Sequence, residues 1–253
     1  MQRRDFIKGL IVLGACPACA RAGFAAEGAH WSYEGQSGPD HWGAMAPDNA
    51  ACSAGSQQSP LDLTGAVKAE LPPLAVDWKP GGRIVNNGHT MQINMPDGSK
   101  LSRGGKSYEL LQYHFHAPSE HHVDGRSFPM EVHFVHRHKE TGALGVLGIF
   151  ITPGAKNAGF SRLAAAFPKT PAGEAAVDDV DPNDLLPKEL SYWSYEGSLT
   201  TPPCSEIVDW MVARQPIEVD EKDIKTFTAL YPMNARPVLA ANRRFILSSS
   251  SAK

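Results

Sequence analysis

Polar and apolar residues alternate in two neighbouring stretches of this chain, His114-Phe115-His116 and Glu131-Val132-His133, a pattern typical of β-strands. Residues two apart on a β-strand project from the same face, so His114 and His116 would point together from such a strand. A third imidazole from a neighbouring strand would complete three nitrogen ligands and leave a fourth position open. That layout is typical of catalytic rather than structural zinc sites.

Strand parity restricts which histidine can supply the third nitrogen. On a strand over residues 130–138, His133 shares a face with Glu131, whereas His136 and His138 face the other way. Such a strand offers either His133 alone or the other pair. A ligating imidazole usually donates its second N–H to a carboxylate or carbonyl, and Glu131 is placed for that role, so we favour His133.

Short strands dominate the rest of the middle region. Segments rich in β-branched and aromatic residues, bounded by Gly, Pro, Asn or Asp, predict five strands. They span residues 82–86, 90–94, 107–116, 130–138 and 145–151. Apolar residues at helical spacing predict one helix over Phe160, Leu163, Ala164 and Phe167. They predict a second helix after Asp220 as its N-cap, with Ile224, Phe227 and Leu230 on one face. No linker divides the chain, so we predict one β-dominated domain.

Composition excludes several classes of function. The 253 residues are 42% hydrophobic and 20% charged, which allows a sizeable core. The formal charge of -3 and the lack of a basic patch argue against a nucleic-acid partner. No apolar run reaches the ~20 residues that span a bilayer. We therefore expect a small-molecule substrate.

The first 26 residues are typical of an export signal. A charged start precedes an apolar run over residues 9–15, and small residues suited to cleavage follow. Arg3 and Arg4, followed by Phe6, resemble the twin-arginine signal for folded proteins. Two alternatives remain, an ordinary secretory signal and a lipoprotein box that would anchor the chain through Cys16. We expect a periplasmic or secreted protein whose domain spans residues 27–253.

Cysteine usage agrees with export. Cys16 and Cys19 lie inside the predicted signal, so the mature chain keeps Cys52 and Cys204. In an oxidising compartment this even pair favours one long-range disulfide. The alternative is two buried free thiols.

Several motifs together resemble one known family. They are His114-Phe115-His116, Ser119-Glu120-His121, Glu131-Val132-His133, Gln57-Gln58-Ser59-Pro60, Asn86-Asn87-Gly88-His89, Tyr195-Glu196-Gly197-Ser198-Leu199-Thr200-Thr201-Pro202-Pro203-Cys204 and Asn242-Arg243. The set resembles the α-class carbonic anhydrases, particularly their exported bacterial members, over residues 31–247. The resemblance implies a mixed, β-dominated fold with a large twisted, mostly antiparallel central sheet and a few short surface helices. It also implies the Cys52–Cys204 bridge and cis peptides before Pro60 and Pro203.

The resemblance implies a reaction and a metal. One Zn²⁺ per chain would be bound by His114, His116 and His133, and zinc-bound hydroxide would attack CO₂ to give bicarbonate and a proton. Glu131 would orient His133, and Gln112 would hold His114. An ionised glutamate only accepts hydrogen bonds, so Thr200 would donate to Glu120 and accept from the nucleophile.

The remaining implied residues fall into two groups. His89 would be the proton shuttle, because an imidazole with an ordinary pKa of about 6.5 both accepts and releases protons near neutrality. Its polar surroundings would be Tyr33, Asn87, Gln92 and Thr201. The apolar wall that holds CO₂ would be Val135, Val146, Leu199, Val208 and Trp210, although each of these taken alone is explained by core packing.

The resemblance also implies inhibition by sulfonamides and anions, a weak side esterase activity and a homodimer. Two other interpretations stay open from the sequence. One is a noncatalytic relative, which is typically recognised by a lost histidine ligand, and no ligand is lost here. The other is an unrelated secreted β-domain that stores metal.

Overall fold

The computed structural model describes residues 30–249, which contain one thirteen-stranded sheet. The strands are β1 (Val67–Ala69), β2 (Leu74–Asp77), β3 (Arg83–Asn86), β4 (Met91–Asn94), β5 (Lys100–Arg103), β6 (Lys106–His116), β7 (Met130–His138), β8 (Leu144–Pro153), β9 (Glu174–Ala176), β10 (Tyr192–Gly197), β11 (Val208–Ala213), β12 (Ile217–Val219) and β13 (Leu247–Ser249). The helices are α1 (Trp42–Met45), α2 (Ala51–Ala54), α3 (Ala158–Ala166) and α4 (Glu221–Thr228), with 3₁₀ turns at Gly35–Ser37, Pro47–Asn49 and Pro182–Leu185. Within the described residues, the chain from Trp31 to Ser249 is one compact unit.

The main path through the sheet runs β1, β13, β10, β11, β8, β7, β6, β4, β3 and β9. Strand β12 joins β8, and β5 joins both β2 and β6. Within residues 30–249, the pairs β1–β13, β8–β11 and β8–β12 are parallel, and the other pairs are antiparallel. The expected β-dominated fold with a mostly antiparallel sheet is confirmed.

The two faces of the sheet carry different chemistry. On β7, Val132 and Phe134 enter the larger hydrophobic core, while Val135 enters a smaller apolar cluster on the other face. Glu131 and His133 share that second face, because side chains alternate along a strand. The site therefore lies opposite the main core and uses the rigid central strands as its support.

A β-bulge in β6 decides which way its histidines point. Pairing with β7 shifts register between Leu110 and Gln112. Before the shift, Tyr108 and Leu110 enter the main core, and after it Tyr113 and Phe115 do so. The extra residue thus exchanges the faces of odd and even positions, as bulges do when they redirect a side chain. His114 and His116 face the site as a result.

The strand bounds predicted from sequence differ from the observed ones by one or two residues at most. Met130–His138 is found as predicted, and the strand expected over 145–151 is one residue longer at its start and two at its end. The sheet also contains strands that sequence patterns did not predict, including β10 and β11. Both lie in the interior of the sheet.

The two predicted helices are present and are capped as short helices require. Asn157 accepts a hydrogen bond from Phe160 N at the start of α3, and Asp220 accepts one from Lys222 N at the start of α4. Such caps satisfy amide groups that have no partner inside the helix. Helix α4 ends at Thr228, so Leu230 lies beyond it and not on its face as predicted.

The predicted disulfide is present between Cys52 and Cys204. It joins α2 to the loop that follows β10 and lies beside Trp42. Ser59–Pro60 and Pro202–Pro203 are cis as the resemblance implied, and Ala117–Pro118 is a further cis peptide that the sequence did not indicate.

The predicted signal over residues 1–26, with Cys16 and Cys19, lies outside the described residues. Within residues 30–249, no helix has the length and apolar character needed to cross a bilayer.

Candidate metal centre and active site

Three imidazoles meet at the end of β6. His114 lies directly across from His133 on β7, and His116 is two residues further along the same strand. One ring nitrogen from each histidine lies within 4.8 Å of the other two. His116 and His133 are each only 1% exposed. Strand pairing therefore assembles the three-nitrogen group that strand parity predicted.

Hydrogen bonds decide which nitrogen each ring presents. His114 Nδ1 lies 2.9 Å from Gln112 Oε1, and His116 Nδ1 lies 2.7 Å from the carbonyl oxygen of Asn234. Because both partners are acceptors, both Nδ1 atoms carry the proton and both Nε2 atoms are left with a free lone pair. His116 Nε2 is buried and has no hydrogen-bond partner in residues 30–249.

His133 presents its other nitrogen. Its Nε2 lies 2.9 Å from Glu131 Oε1, a hydrogen-bond distance although the ring N–H is not aligned with that oxygen. The carboxylate fixes the proton on Nε2, which leaves Nδ1 with the lone pair. The three rings thus offer two Nε2 atoms and one Nδ1 atom, all neutral donors of the kind that Zn²⁺ prefers.

Glu131 is held by His121, which sequence reasoning did not assign to the site. His121 Nδ1 donates to Glu131 Oε1 at 2.8 Å, and Glu131 Oε2 accepts from the amides of Glu120 and His121. His121 Nε2 lies 2.6 Å from Tyr195 Oη. His121, Glu131 and His133 also form a second group of possible metal ligands, but these hydrogen bonds already occupy it.

Gly148 leaves room for this carboxylate. It lies opposite His133 on β8, and a Cβ at this position would approach Glu131 Oε1 to 2.7 Å. A contact that close is not tolerated by real side chains, so a larger residue would displace Glu131. The sequence gave no indication that glycine is needed at position 148, because the side chain that requires the space, Glu131, lies on the neighbouring strand.

Burial and charge set the protonation of the group. Burial raises the pKa of Glu131 when acting alone, but His121 and His133 outweigh it and hold that pKa well below its usual range. Burial lowers the pKa of His114 well below its usual value, with His116 and His133 adding to the shift. Burial likewise lowers the pKa of His116. Burial alone would lower the pKa of His133, but Glu131 outweighs it and raises that pKa. His114 and His116 thus favour the neutral form that binds a divalent cation, while Glu131 is anionic.

Glu120 lies between two of these histidines and is fully buried. Its Oε1 accepts from the amide of Arg236 at 2.9 Å. Its Oε2 lies 3.8 Å from His133 Nδ1 and has no hydrogen-bond partner in residues 30–249. Within residues 30–249, the Thr200 hydroxyl does not make the hydrogen bond to Glu120 that the resemblance implied. Thr200 is nevertheless buried, with 5% of its surface exposed.

The loop that carries Thr200 is fixed from several sides. Ser59 and Ser198 exchange hydrogen bonds, and the amide of Cys204 donates to the carbonyl of Thr201. The Cys52–Cys204 bridge fastens the end of the same loop to α2. This loop therefore has little freedom to move its backbone.

A small cavity of about 120 Å³ opens beside the histidines. The residues that line it are Trp31, Tyr33, Asn87, His89, Thr90, Gln92, Gln112, His114, His116 and Thr201. Burial, and secondly the charge of Glu120, raises the pKa of Tyr33 well above its usual value, so its hydroxyl stays protonated. The four polar residues named from the resemblance and His89 all reach this cavity.

His89 stacks on Trp31 at the cavity wall. The ring centroids are 3.7 Å apart and the planes differ by 5°. One face of the His89 ring packs on Trp31, and the residue as a whole is partly exposed to solvent. Trp31 was not singled out from sequence, because nothing local links it to a histidine 58 positions away.

The five expected apolar residues do not line that cavity. Val135, Val146, Val208 and Trp210 instead form one buried cluster on the same face of the sheet, with Leu199 packed against it. The Trp210 ring lies 4.9 Å from the His133 ring and donates through Nε1 to the carbonyl of Ser198. The cluster therefore contacts the metal centre through Trp210.

A larger groove of about 980 Å³ lies elsewhere, between residues such as Arg103, Tyr108, Ile207 and Phe245. It contains none of the histidines, and its Arg103 and Asp209 charges already pair with each other. Size alone therefore does not mark the reactive site in this molecule.

Comparison with known proteins agrees with this geometry. The model of the family described as eukaryotic-type carbonic anhydrase matches residues 37–250. The chain belongs to this family. A carbonic anhydrase from Nostoc sp. is 38% identical over 260 residues, covering 98% of each chain. One from Neisseria gonorrhoeae is 40% identical over 236 residues, covering 91% of this chain and 93% of the relative.

A solved structure shows the same fold. The α-carbonic anhydrase from Thermovibrio ammonificans, in complex with the inhibitor sulfanilamide, superposes with a TM-score of 0.84 at 40% identity. The alignment covers 87% of this chain and 99% of that one. The recognition made from the sequence motifs is confirmed, and the chain is an enzyme of the carbonic anhydrase class.

Proposed function

We propose that this enzyme uses one Zn²⁺ to hydrate CO₂ reversibly to bicarbonate and a proton. Membership of the carbonic anhydrase family supports the reaction. The observation that supports the metal is the set of three imidazoles, His116 and His133 buried and His114 partly buried, whose outer nitrogens lie 2.7 to 2.9 Å from acceptor oxygens of Gln112, Asn234 and Glu131. Rings fixed in this way are preorganised to bind a cation.

His114, His116 and His133 would hold the zinc. When bound, zinc supplies a nucleophile at neutral pH by lowering the pKa of water to about 7, a value that is general to carbonic anhydrases. The protein contributes the geometry around it. Gln112 and Asn234 keep two rings in the Nδ1–H form, and the Glu131 carboxylate makes His133 a more basic ligand.

Thr200 and Glu120 are proposed to aim the attacking oxygen. A threonine that donates its proton to an ionised carboxylate has only its lone pairs left for another partner, so it must accept a hydrogen bond from the nucleophile. Glu120 Oε2 is a buried acceptor with no partner in the described region, and Thr200 is buried on the adjacent loop. The proposal requires the Thr200 hydroxyl to turn toward Oε2.

CO₂ is proposed to bind on the apolar side of the centre, against Val135, Val146, Leu199, Val208 and Trp210. A nonpolar gas gains little from hydrogen bonds, so an apolar surface beside the nucleophile is sufficient to position it. The opposite, polar side with Tyr33, Asn87, Gln92 and Thr201 would order the waters that carry the proton away.

The proposed function is tested on the purified protein by zinc analysis and a pH-indicator assay of CO₂ hydration. We expect one zinc per chain, rapid hydration, loss of activity after chelation with recovery on adding zinc, and inhibition by a sulfonamide. Zinc binding without accelerated hydration would identify a metal-storing domain and overturn the proposal. A weak esterase activity is expected in the same preparations and disappears with the zinc.

His89 is proposed as the group that passes the proton to buffer. We expect His89→Ala to lower kcat by about tenfold or more in weak buffer, because a positioned general acid–base contributes ~10²–10⁴-fold. Concentrated imidazole restores the rate by replacing the missing group. Equal rates for the variant and the parent protein at low buffer concentration would exclude the shuttle.

We also propose that the protein is exported to the periplasm or the exterior, with residues 1–26 removed. The support is the signal-like composition of that segment and the disulfide, which forms in oxidising compartments. Lipid anchoring through Cys16 is the alternative, and a homodimer is expected from the resemblance to exported relatives.

A further inference from the structure

Asn234 is a buried residue that contacts both a proposed metal ligand, His116, and the backbone of the proposed proton shuttle, His89. It is 1% exposed and follows α4 in a segment without regular structure. Its own carbonyl oxygen accepts from His116 Nδ1 at 2.7 Å. Its side-chain nitrogen donates to the carbonyl of His89 at 3.0 Å. One residue therefore joins a ligand histidine to the backbone of the turn that carries the shuttle.

The side chain of Asn234 makes two further hydrogen bonds to the end of β6. Its Oδ1 accepts from the amide of Ala117 at 2.7 Å, and its Nδ2 donates to the carbonyl of Phe115 at 2.9 Å. These groups flank His116 on both sides. The amide thus holds the His89 turn at a fixed distance from the strand that presents the ligand.

Thr90 also ties the turn to that strand. Its Oγ1 donates to the carbonyl of Phe115, the same oxygen that Asn234 contacts. Asn87 Oδ1 accepts hydrogen bonds from the amides of His89 and Thr90. These two bonds stabilise the conformation of the turn but do not connect it to β6. Asn234 and Thr90 therefore both connect the turn that carries His89 to the strand that carries His116.

We propose that the Asn234 side chain is a positioning residue for proton transfer, because it fixes the His89 turn relative to the metal centre. This inference rests on the proposed function of His89. Proton transfer through ordered water depends steeply on distance, and a misplacement of about 1 Å costs ~10²-fold in a positioned reaction. The carbonyl that orients His116 belongs to the backbone of Asn234 and survives a change of side chain.

The test is the kinetics of Asn234→Ala in weak and in concentrated buffer. We expect the variant to lose more of its kcat in weak buffer than of its kcat/KM for CO₂, because only the first depends on the shuttle. Its kcat in weak buffer falls by about tenfold and recovers in concentrated imidazole. The double variant His89→Ala with Asn234→Ala is no slower than His89→Ala alone, because both changes act on the same step.

A matched control separates positioning from stability. Asn157 makes two side-chain hydrogen bonds, to the carbonyl of Asp184 and from the amide of Phe160, against three for Asn234, and it caps α3 away from the site. Asn157→Ala is expected to keep kcat in weak buffer.

Three results would overturn the inference: equal loss of kcat and kcat/KM, loss of zinc, or the same kinetics in both asparagine variants. Failure of the shuttle itself gives a different result, since His89→Ala would then show no dependence on buffer.

Discussion

Replacement of His133 by alanine is expected to remove tight zinc binding and to lower CO₂ hydration by ~10³-fold or more, since the nucleophile at neutral pH depends on the metal. His133 supplies one of three nitrogens that lie within 4.8 Å of one another. Its loss also leaves the buried carboxylate of Glu131 with one imidazole partner fewer. Zinc content per chain and the pH-indicator assay measure the two effects.

His136→Ala is the matched control on the same strand. His136 is fully buried but faces the main core, where Trp78 Nε1 donates to its Nε2 at 3.2 Å and its Nδ1 lies 3.2 Å from the carbonyl of Gly145. Burial lowers its pKa to about 4, so it is a neutral structural residue. We expect this variant to lose about 1–3 kcal/mol of stability and to keep its zinc and activity. Loss of zinc from both variants alike would contradict the assignment.

Thr200→Val is expected to lower kcat/KM for CO₂ by ~10²-fold while zinc content stays at one per chain. Valine has the shape of threonine without its hydroxyl, so in the proposed mechanism the change removes one oriented hydrogen bond to the nucleophile. Removal of one such group at a reacting centre costs ~10²–10³-fold. The pH-indicator assay at low CO₂ concentration reports kcat/KM directly. The effect differs from that of His89→Ala, which acts on kcat in weak buffer.

Thr200→Ser serves as the control, because it keeps the hydroxyl and should keep most of the activity. Glu120→Gln tests the partner, since a carboxamide at this position can donate as well as accept and no longer imposes one direction on the Thr200 hydroxyl. We expect it to resemble Thr200→Val. Full activity of Thr200→Val would show that the hydroxyl does not aim the nucleophile.

The grouping of the three histidines could be predicted because it follows from local alternation. His114, His116 and His133 occupy one face of paired strands, so a period of two and one adjacent carboxylate were sufficient to bring them together. The strand over Met130–His138 was predicted with its observed bounds for the same reason. The helix start after Asp220 likewise depends on neighbours within a few residues.

Other parts of the site depend on contacts that leave no local pattern. His121 was quoted within a motif but received no role, because its partners Glu131 and Tyr195 meet it only in the folded sheet. Asn234 acts partly through a backbone carbonyl, which any residue carries. Gly148 is needed because of a side chain on the next strand. The interior strand β10 was missed because the buried Ser194 interrupts its apolar pattern, and β11 because Trp210 and the three residues after it are buried on both faces and show no alternation.

The bulge in β6 makes the site depend on the register in which this strand pairs with β7, as well as on the histidine motif. Upstream of the register shift, even-numbered residues fill the core, and downstream of it odd-numbered residues do. If the same residues paired with β7 without the bulge, the imidazoles of His114 and His116 would turn toward Phe134 and its neighbours, with all three histidines still in the sequence. Deleting Leu111, the extra residue, would instead leave Leu110 and Gln112 on opposite faces of a regular strand and keep both histidines on the face of the site. The histidine motif therefore assembles the centre only in the register that the bulge sets.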